Sequence, residues 1–203
     1  MTEPGSPGDQ GAPSSGWTAA PPPSSAPVPG PAGFVYADVP NRAIAYIIDA
    51  IIIAIINVLI TIVLSAIGLN PFTASISGVS VNFVGFILYA IIGFAVSAAY
   101  FVYTWTTMRA TIGMRVLGMQ IGNAVDGKTM TTEQAGRRWL ALFAPSVLAQ
   151  IATGFGAIGL IFALAAFGWV IYLLWTMAQS PTKQGFQDVF ANTMVVKAAR
   201  VAG

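Results

Sequence analysis

Two residue types that carry much of protein chemistry are missing from this chain of 203 residues, which contains no cysteine and no histidine. Disulfides, zinc sites built from these residues, cysteine nucleophiles and histidine proton relays are therefore excluded. Charged residues are scarce as well, because Asp, Glu, Lys and Arg together make up 8% of the chain. Any proton or cation chemistry must run on the seven carboxylates.

Hydrophobic residues are abundant in return, at 56% of the chain with a mean hydropathy of +0.74. Soluble domains carry roughly 25% charged residues, so this composition is typical of a membrane protein whose main partner is the lipid bilayer. The net charge of +2 is too small to indicate binding to nucleic acid. We expect no nucleic-acid partner, no metal and no other cofactor.

The first 33 residues differ in composition from the rest of the chain. They hold nine of the thirteen prolines and neither Lys nor Arg. A segment of this kind cannot bury a core, so we predict a disordered proline-rich tail over residues 1–33. It also lacks the basic start of a signal peptide, and we expect no cleavage within it.

Four apolar segments follow the tail, at about 43–68, 82–106, 139–153 and 157–178. At about 1.5 Å per residue, three of them are long enough to cross a bilayer. The third is short and contains Pro145 and Gln150, so a re-entrant or kinked helix is the alternative there. The pattern predicts an all-α membrane protein: a four-helix transmembrane bundle over residues 34–197 with a small cytoplasmic loop subdomain and a short tail, 198–203.

The basic residues predict the orientation of these segments. With four spans every Lys and Arg falls on one side, Arg115, Arg137 and Arg138 among them, whereas the loop Asn70–Val81 has no charge. The positive-inside rule assigns the basic side to the cytoplasm. We therefore predict a multi-pass protein of the cell membrane with both termini cytoplasmic, whose basic face meets anionic lipid headgroups.

The cytoplasmic segments carry signals of folded structure. Residues 114–121 and 193–196 are each compatible with a short strand, and the two strands are expected to pair beneath the membrane. Thr131 with Gln134 three residues later forms a capping box, which predicts a helix that runs into the third apolar segment.

Asp49 lies inside the first apolar segment, where inserting a charged side chain costs about 2.5–3.5 kcal/mol. Such a residue faces the protein interior or water and is a candidate functional residue. Arg42, seven residues earlier, lies on the same helical face within roughly 20° and is a candidate partner. A charged Asp49 paired with Arg42 and a neutral, hydrogen-bonded Asp49 are both compatible with the sequence.

Asn57 and Thr61 share a helical arc of about 160° with Asp49. Small and polar residues on one face allow helices to pack closely in lipid, and they can also line a polar path. Both interpretations stay open, with packing the more common.

Two activities are not expected. The segment from Gly154 to Gly159 matches GxGxxG but lies between apolar helices without a following carboxylate, so it does not indicate a nucleotide site. An intramembrane aspartyl hydrolase needs two acids at one depth, and Asp49 has no second acid within the spans. We therefore predict that the protein is not an enzyme.

Three segments in order resemble the RDD family of membrane proteins. The first is PNRAIAYIIDAIII, in which an aspartate follows an arginine after seven residues. The second, RATIGMRVLGMQIGNAVDGKTMTTEQAGRRWL, contains a Thr-x-Gly-x-Arg element, an Asp-Gly pair and a helix with arginine. The third is KQGFQDVFANTMVV. The resemblance covers about Tyr36 to Lys197.

The resemblance implies that Arg42, Asp49 and Asp188 are the residues for which the family is named. Asp188 is expected at the cytoplasmic interface, within reach of Arg42, Arg137 or Arg138. Family membership implies a multi-pass membrane architecture more than it implies an activity.

Two functions stay open. In the first, the protein is a small cation or proton transporter, or a subunit of one, with Asp49 as the titrating or ion-binding group, Arg42 as its counter-charge and Asp188 as a gate partner. Four helices are few for a pathway, so a homo-oligomer is expected. In the alternative, the protein is a non-catalytic accessory or scaffold protein in which these charges form a structural clamp.

Overall fold

The computed structural model of the protein describes residues 27–76, 78–153 and 157–198. The predicted disorder of residues 1–33 and the predicted tail 198–203 thus fall largely outside the described residues. The elements in chain order are a 3-10 turn Pro31–Gly33, β1 Phe34–Tyr36, α1 Val39–Ala66, β2 Phe72–Ser75, β3 Gly78–Val81, α2 Phe83–Thr107, α3 Ile112–Val116, β4 Met119–Asn123, α4 Thr132–Ala152, α5 Ala157–Gln179, α6 Phe186–Phe190 and β5 Thr193–Ala198.

Among the described residues, three helices are long and apolar enough to cross a membrane: α1, α2 and α5, with mean hydropathies of 2.9, 2.1 and 2.4. Only 11% of each apolar window is buried inside the protein, so most of these side chains face outward. Ile51, Val63 and Leu164, for example, are more than half exposed. Surfaces of this kind need lipid around them, and the protein is therefore a mostly helical membrane protein.

A three-stranded antiparallel sheet lies at one end of the helices, in the order β1-β5-β4. In the centre of the sheet, Val196 pairs with Tyr36 on one side and with Gln120 on the other. We call this end of the molecule the sheet side. The predicted pairing of two strands far apart in sequence is confirmed by β4 and β5.

The prediction that residues 114–121 form one strand is wrong in its first half, because residues 112–116 form the helix α3. The hydroxyl of Thr111 accepts a hydrogen bond from the backbone N–H of Met114 at 3.1 Å and so caps the start of this helix. Gly118, with a φ of 67°, then reverses the chain into β4.

Helix α3 packs directly on the backbone of α1. A Cβ added at Gly113 would lie 2.2 Å from the carbonyl oxygen of Ala45, so only glycine allows this approach. The Thr-x-Gly element is thus a contact point between a sheet-side helix and the first membrane helix.

Helix α4 begins at the predicted capping box, where Thr131 and Gln134 bond each other's backbone. It packs against α2 and α5. The indole N–H of Trp139 donates to Ser97 at 3.2 Å, and that of Trp169 donates to the Ala141 carbonyl at 2.8 Å. These bonds satisfy the polar atoms of two large side chains in an otherwise apolar interface.

The end of α4 lies close to the start of α5. A Cβ at Gly159 would lie 2.6 Å from the carbonyl oxygen of Ala152, so the first turn of α5 packs against the last residue of α4. Residues 154–156, which include the first two glycines of the GxGxxG match, lie outside the described residues. Gly159, its last glycine, serves this close packing.

A two-stranded hairpin of β2 and β3 connects α1 to α2 at the end away from the sheet. Phe72 packs edge-on against Phe86 and Tyr89, at 5.7 and 5.8 Å between ring centroids. The sequence analysis did not anticipate this hairpin, because Asn70–Val81 offers only a weak alternation of polar and apolar residues.

Replacing Gly113 by Ala is expected to lower the free energy of unfolding by about 1–3 kcal/mol, because the added methyl group forces α3 away from α1. Thermal unfolding of the detergent-purified protein, followed by tryptophan fluorescence, measures the effect. The matched control is Gly136→Ala in α4, where a Cβ meets nothing within 4 Å. This control should leave stability unchanged or raise it, and equal loss in both variants would contradict the packing argument.

Candidate functional site

Asp188 binds two arginines inside the protein. It lies in α6, is 0% exposed, and accepts from Nη1 of Arg42 at 2.6 Å through Oδ2. Its Oδ1 accepts from Nη1 of Arg138, and the backbone N–H of Gly185 adds a bond to Oδ2 at 2.9 Å. We call Arg42, Arg138 and Asp188 the Asp188 cluster. It joins α1, α4 and α6 at a single carboxylate.

The arginines of this cluster also bind the sheet. Arg42 donates through Nε to the Ala37 carbonyl at 3.0 Å and through Nη2 to the Val195 carbonyl at 3.2 Å. Arg138 donates to the hydroxyl of Thr193 at 2.9 Å. Both guanidinium groups therefore hold β5, the central strand, against the membrane helices.

Two aromatic side chains complete the surroundings of Arg138. Its Nη2 donates to the hydroxyl of Tyr46 at 3.3 Å, and its guanidinium lies 5.3 Å from the ring centroid of Trp105. A desolvated cation over an indole face is stabilised by the ring quadrupole. Arg138 was predicted as a basic residue of the cytoplasmic face and as one of three arginines within reach of Asp188. It binds Asp188 and is 2% exposed.

The prediction that Arg42 pairs with Asp49 is wrong. Seven residues separate them, which is about 10.5 Å along a helix, and helical side chains lean toward the N-terminus. The Arg42 guanidinium therefore extends away from Asp49, to Ala37 and Asp188. Sharing a helical face brought both residues into the protein interior without bringing them together.

Asp49 binds α2 and the start of α3 instead. Its Oδ1 accepts from the hydroxyl of Tyr100 at 2.7 Å and from the backbone N–H of Gly113 at 2.9 Å. Its Oδ2 accepts from the hydroxyl of Thr111 at 2.6 Å. The residue is 1% exposed, so these three donors replace the water that it would bind outside the protein.

Backbone N–H groups also bind the two hydroxyl groups at Asp49. The oxygen of Tyr100 accepts from the Ile112 N–H at 3.3 Å, and that of Thr111 accepts from the Met114 N–H at 3.1 Å. Each hydroxyl group thereby joins Asp49 to the first residues of α3.

The buried charges balance across a small void. Arg42 and Arg138 carry two positive charges against the one negative charge of Asp188, and Asp49 supplies a second negative charge. A cavity of about 10 Å³ lies between these groups. Arg42, Arg138, Asp49 and Tyr46 line it, and Asp188 does not. That volume is close to what one water molecule requires. Among the described residues, no three His, Cys, Asp or Glu side chains are grouped to hold a metal.

The remaining predicted site residues lie apart from these charges. Asn57 and Thr61 bond carbonyls of their own helix, those of Ile53 and Asn57, each at 3.0 Å. Arg137 forms an exposed pair with Glu133 one turn earlier and does not contact Asp188. Arg115 is exposed at the end of α3.

The sequence analysis missed the partners of Asp49. Tyr100 was not singled out, and Thr111 was noted only as part of the Thr-x-Gly element. The only signal in the sequence was that Tyr100 and Thr111 are polar residues near the end of an apolar segment. That position does not show that they bind Asp49.

The three named charges and the Thr-x-Gly element all fall within one family match. The model of the RDD family matches residues 36–192, more than three quarters of the chain. The chain belongs to the RDD family. The resemblance drawn from three sequence segments is thereby confirmed. No curated protein and no solved structure matches the chain. In this RDD protein, the arginine and the two aspartates belong to two separate hydrogen-bonded groups that share the helix α1.

Replacing Asp188 by Asn is expected to destabilise the RDD protein by about 3–5 kcal/mol, because two buried guanidinium groups lose their anionic partner. The unfolding midpoint in detergent measures the loss. Asp126→Asn is the control, since Asp126 forms an exposed pair with Lys128 and should matter little. Equal midpoints for wild type and Asp188→Asn would contradict the structural role of the cluster.

The pH dependence of stability should carry the signature of Asp188. Burial by itself raises the pKa of this carboxyl, but Arg138 and Arg42 outweigh burial and hold the pKa below its usual range. The unfolded-state value is about 3.9, so the stabilisation is fully present well above it and is lost as pH falls through the lower folded-state value. The stability difference between wild type and Asp188→Asn should be constant at neutral pH and narrow only below about pH 4. A difference that narrows near neutral pH would contradict this assignment.

Proposed function

We propose that this RDD protein is a non-catalytic accessory or scaffold protein of the cell membrane, in which Arg42, Asp49 and Asp188 act as a structural clamp. The observation that carries the proposal is that each of these three residues either binds a sheet-side element or belongs to one. Arg42 binds the carbonyl of Val195 in β5, Asp49 binds the N–H of Gly113 in α3, and Asp188 belongs to α6 itself. The clamp thus holds a folded platform against the membrane helices.

A four-span topology is part of this proposal, and the pairing of the strands supports it. Strands β4 and β5 belong to one sheet, so the chain between them must cross the membrane an even number of times. That stretch contains α4 and α5, and α5 is apolar enough to span. The proposal therefore has α4 bring the chain across as well. Its uncharged part, Trp139 to Ala152, extends about 21 Å, which is shorter than the hydrocarbon core, as the sequence analysis noted for this segment.

The distribution of basic residues supports a cytoplasmic platform. The loop between α1 and α2 contains neither Lys nor Arg, whereas Arg115, Lys128 and Arg137 are exposed on the sheet side. The positive-inside rule then assigns the sheet and both termini to the cytoplasm. The platform would present these cations to anionic lipid headgroups or to acidic partner proteins.

Transport of protons or small cations is the second candidate. The void between Asp49, Arg42 and Arg138 favours it, because one water there would connect the carboxylate to both arginines. A path through so small a bundle would require a homo-oligomer. The clamp is preferred because all oxygens of Asp49 and Asp188 already accept hydrogen bonds from protein groups.

Asp49→Asn separates the two candidates. The amide offers one acceptor oxygen to three donors, so the clamp predicts a loss of about 1–3 kcal/mol in unfolding free energy. The clamp also predicts that neither the wild type nor Asp49→Asn gives an ion or proton flux above that of empty liposomes. The measurements are thermal unfolding in detergent and flux in proteoliposomes at equal, verified reconstitution.

Tyr100→Phe is the matched variant, because it removes one donor and keeps the carboxylate. The clamp predicts that it also lowers stability, by less than Asp49→Asn does. If the wild type shows flux that is lost in Asp49→Asn and retained in Tyr100→Phe, the clamp proposal is wrong and transport is supported.

A further inference from the structure

A cavity of about 690 Å³ lies within the helical part of the molecule. Helix α1 forms one wall, α4 and α5 form the other, and α2 closes the back. It exists because α1 packs mainly on α2 and α3, whereas α4 packs on α2 and α5. Two residues of its lining, Met177 and Tyr46, accept hydrogen bonds from Arg42 and Arg138 and so border the charges.

The walls of the cavity are apolar and partly made of short side chains. Helix α1 contributes Ala43, Ala50 and Ala54, while α4 and α5 contribute leucines, Phe143 and Val170. From Ala43 to Asn57 the lining extends about 21 Å along α1, starting from the sheet side. A long, narrow apolar occupant fits these dimensions.

The cavity is open toward the surroundings of the helices. Ile47 on one rim and Val170 on the other are 59% and 44% exposed. In a membrane, the medium at this opening consists of acyl chains and not of water. An empty cavity would also leave its walls without dispersion contacts.

A polar group lies near the sheet-side end of the cavity. The hydroxyl of Tyr46 accepts from Arg138, so its own hydrogen remains available, and among the described residues no acceptor takes it. Tyr46 lines both this cavity and the small void beside the charges. Behind it lie the guanidinium groups of Arg42 and Arg138, whose charges Asp188 and Asp49 balance. This end therefore favours an oxygen acceptor for the free hydroxyl hydrogen of Tyr46.

We propose that the cavity binds one acyl chain of a phospholipid from the sheet-side leaflet, with the Tyr46 hydroxyl donating to an oxygen at the head of that chain. The lining extends about 21 Å along α1, which suits one extended acyl chain. The volume lies within the range of pockets that hold single small ligands. A helix from a second copy is the alternative occupant that the experiment distinguishes.

Photo-crosslinking tests the proposal on the full-length protein. The protein is reconstituted into phosphatidylethanolamine–phosphatidylglycerol vesicles that contain a trace of phospholipid with a diazirine midway along one acyl chain. After irradiation, peptide mass spectrometry locates the label. We expect preferential labelling of cavity-lining residues that the bilayer reaches poorly, such as Leu142 and Leu173, which are 8% and 5% exposed.

Ala54→Phe should fill the cavity and remove most of this label. Its neighbour Ile55 is 57% exposed and lies outside the lining, so Ile55→Phe is the matched control and should keep the label. Ala54→Val is the milder variant if Phe prevents folding, and it should give a partial loss. Tyr46→Phe should lower the amount of phospholipid that copurifies, measured by native mass spectrometry.

Three results would overturn the proposal. The first is label spread over outward-facing residues without enrichment in the cavity. The second is labelling of Leu142 and Leu173 that Ala54→Phe leaves unchanged. The third is cross-linking of these residues to a second protein chain, which would assign the space to an oligomer contact. None of these results depends on whether Asp49 takes part in transport.

Discussion

The rest of the structure depends on one buried carboxylate held between two arginines. Asp188 is fully enclosed, and Arg42 and Arg138 reach it from helices 146 and 50 residues away in the chain. A charge buried in this way is tolerated only if its partners are complete, and here the arginines also bind the carbonyl groups and the threonine of the sheet. The network therefore forms as a whole, and the sheet, α6 and two membrane helices take their positions from it.

Asp49, one and a half to two turns farther along α1, is likewise a buried carboxylate whose binding partners are all protein groups. It replaces water with three donors, two of them at the start of α3, and Gly113 lets the backbones approach closely enough for this. Helix α1 thus carries two attachment points, Arg42 for β5 and α6 and Asp49 for α3. The cost of a carboxylate in an apolar helix is offset by the contacts that it makes to the platform.

Helix packing follows from these attachments. Because α1 is held to the sheet side through Arg42 and Asp49, and to α2 through Tyr100, it does not need to pack closely against α4. The space left between them is the apolar cavity, and Tyr46 lies between that cavity and the charges. The way α1 is attached therefore explains both the polar contacts at the sheet side and the apolar space between α1 and α4.

The sequence by itself determined the elements whose causes are local. The apolar segments predicted α1, α2 and α5, and the capping box predicted the start of α4. Asp49 was recognised through its position in an apolar segment, and Asp188 through the family resemblance. The sequence placed three arginines within reach of Asp188, but only the tertiary structure decided that Arg42 and Arg138 bind it and that Arg42 does not bind Asp49. Helical periodicity places Arg42 and Asp49 on one face, but it contains no information about Asp188 or Thr111, which are distant in sequence. Long side chains bind whatever the fold brings near them, and that proximity arises from packing between helices and not from any single segment.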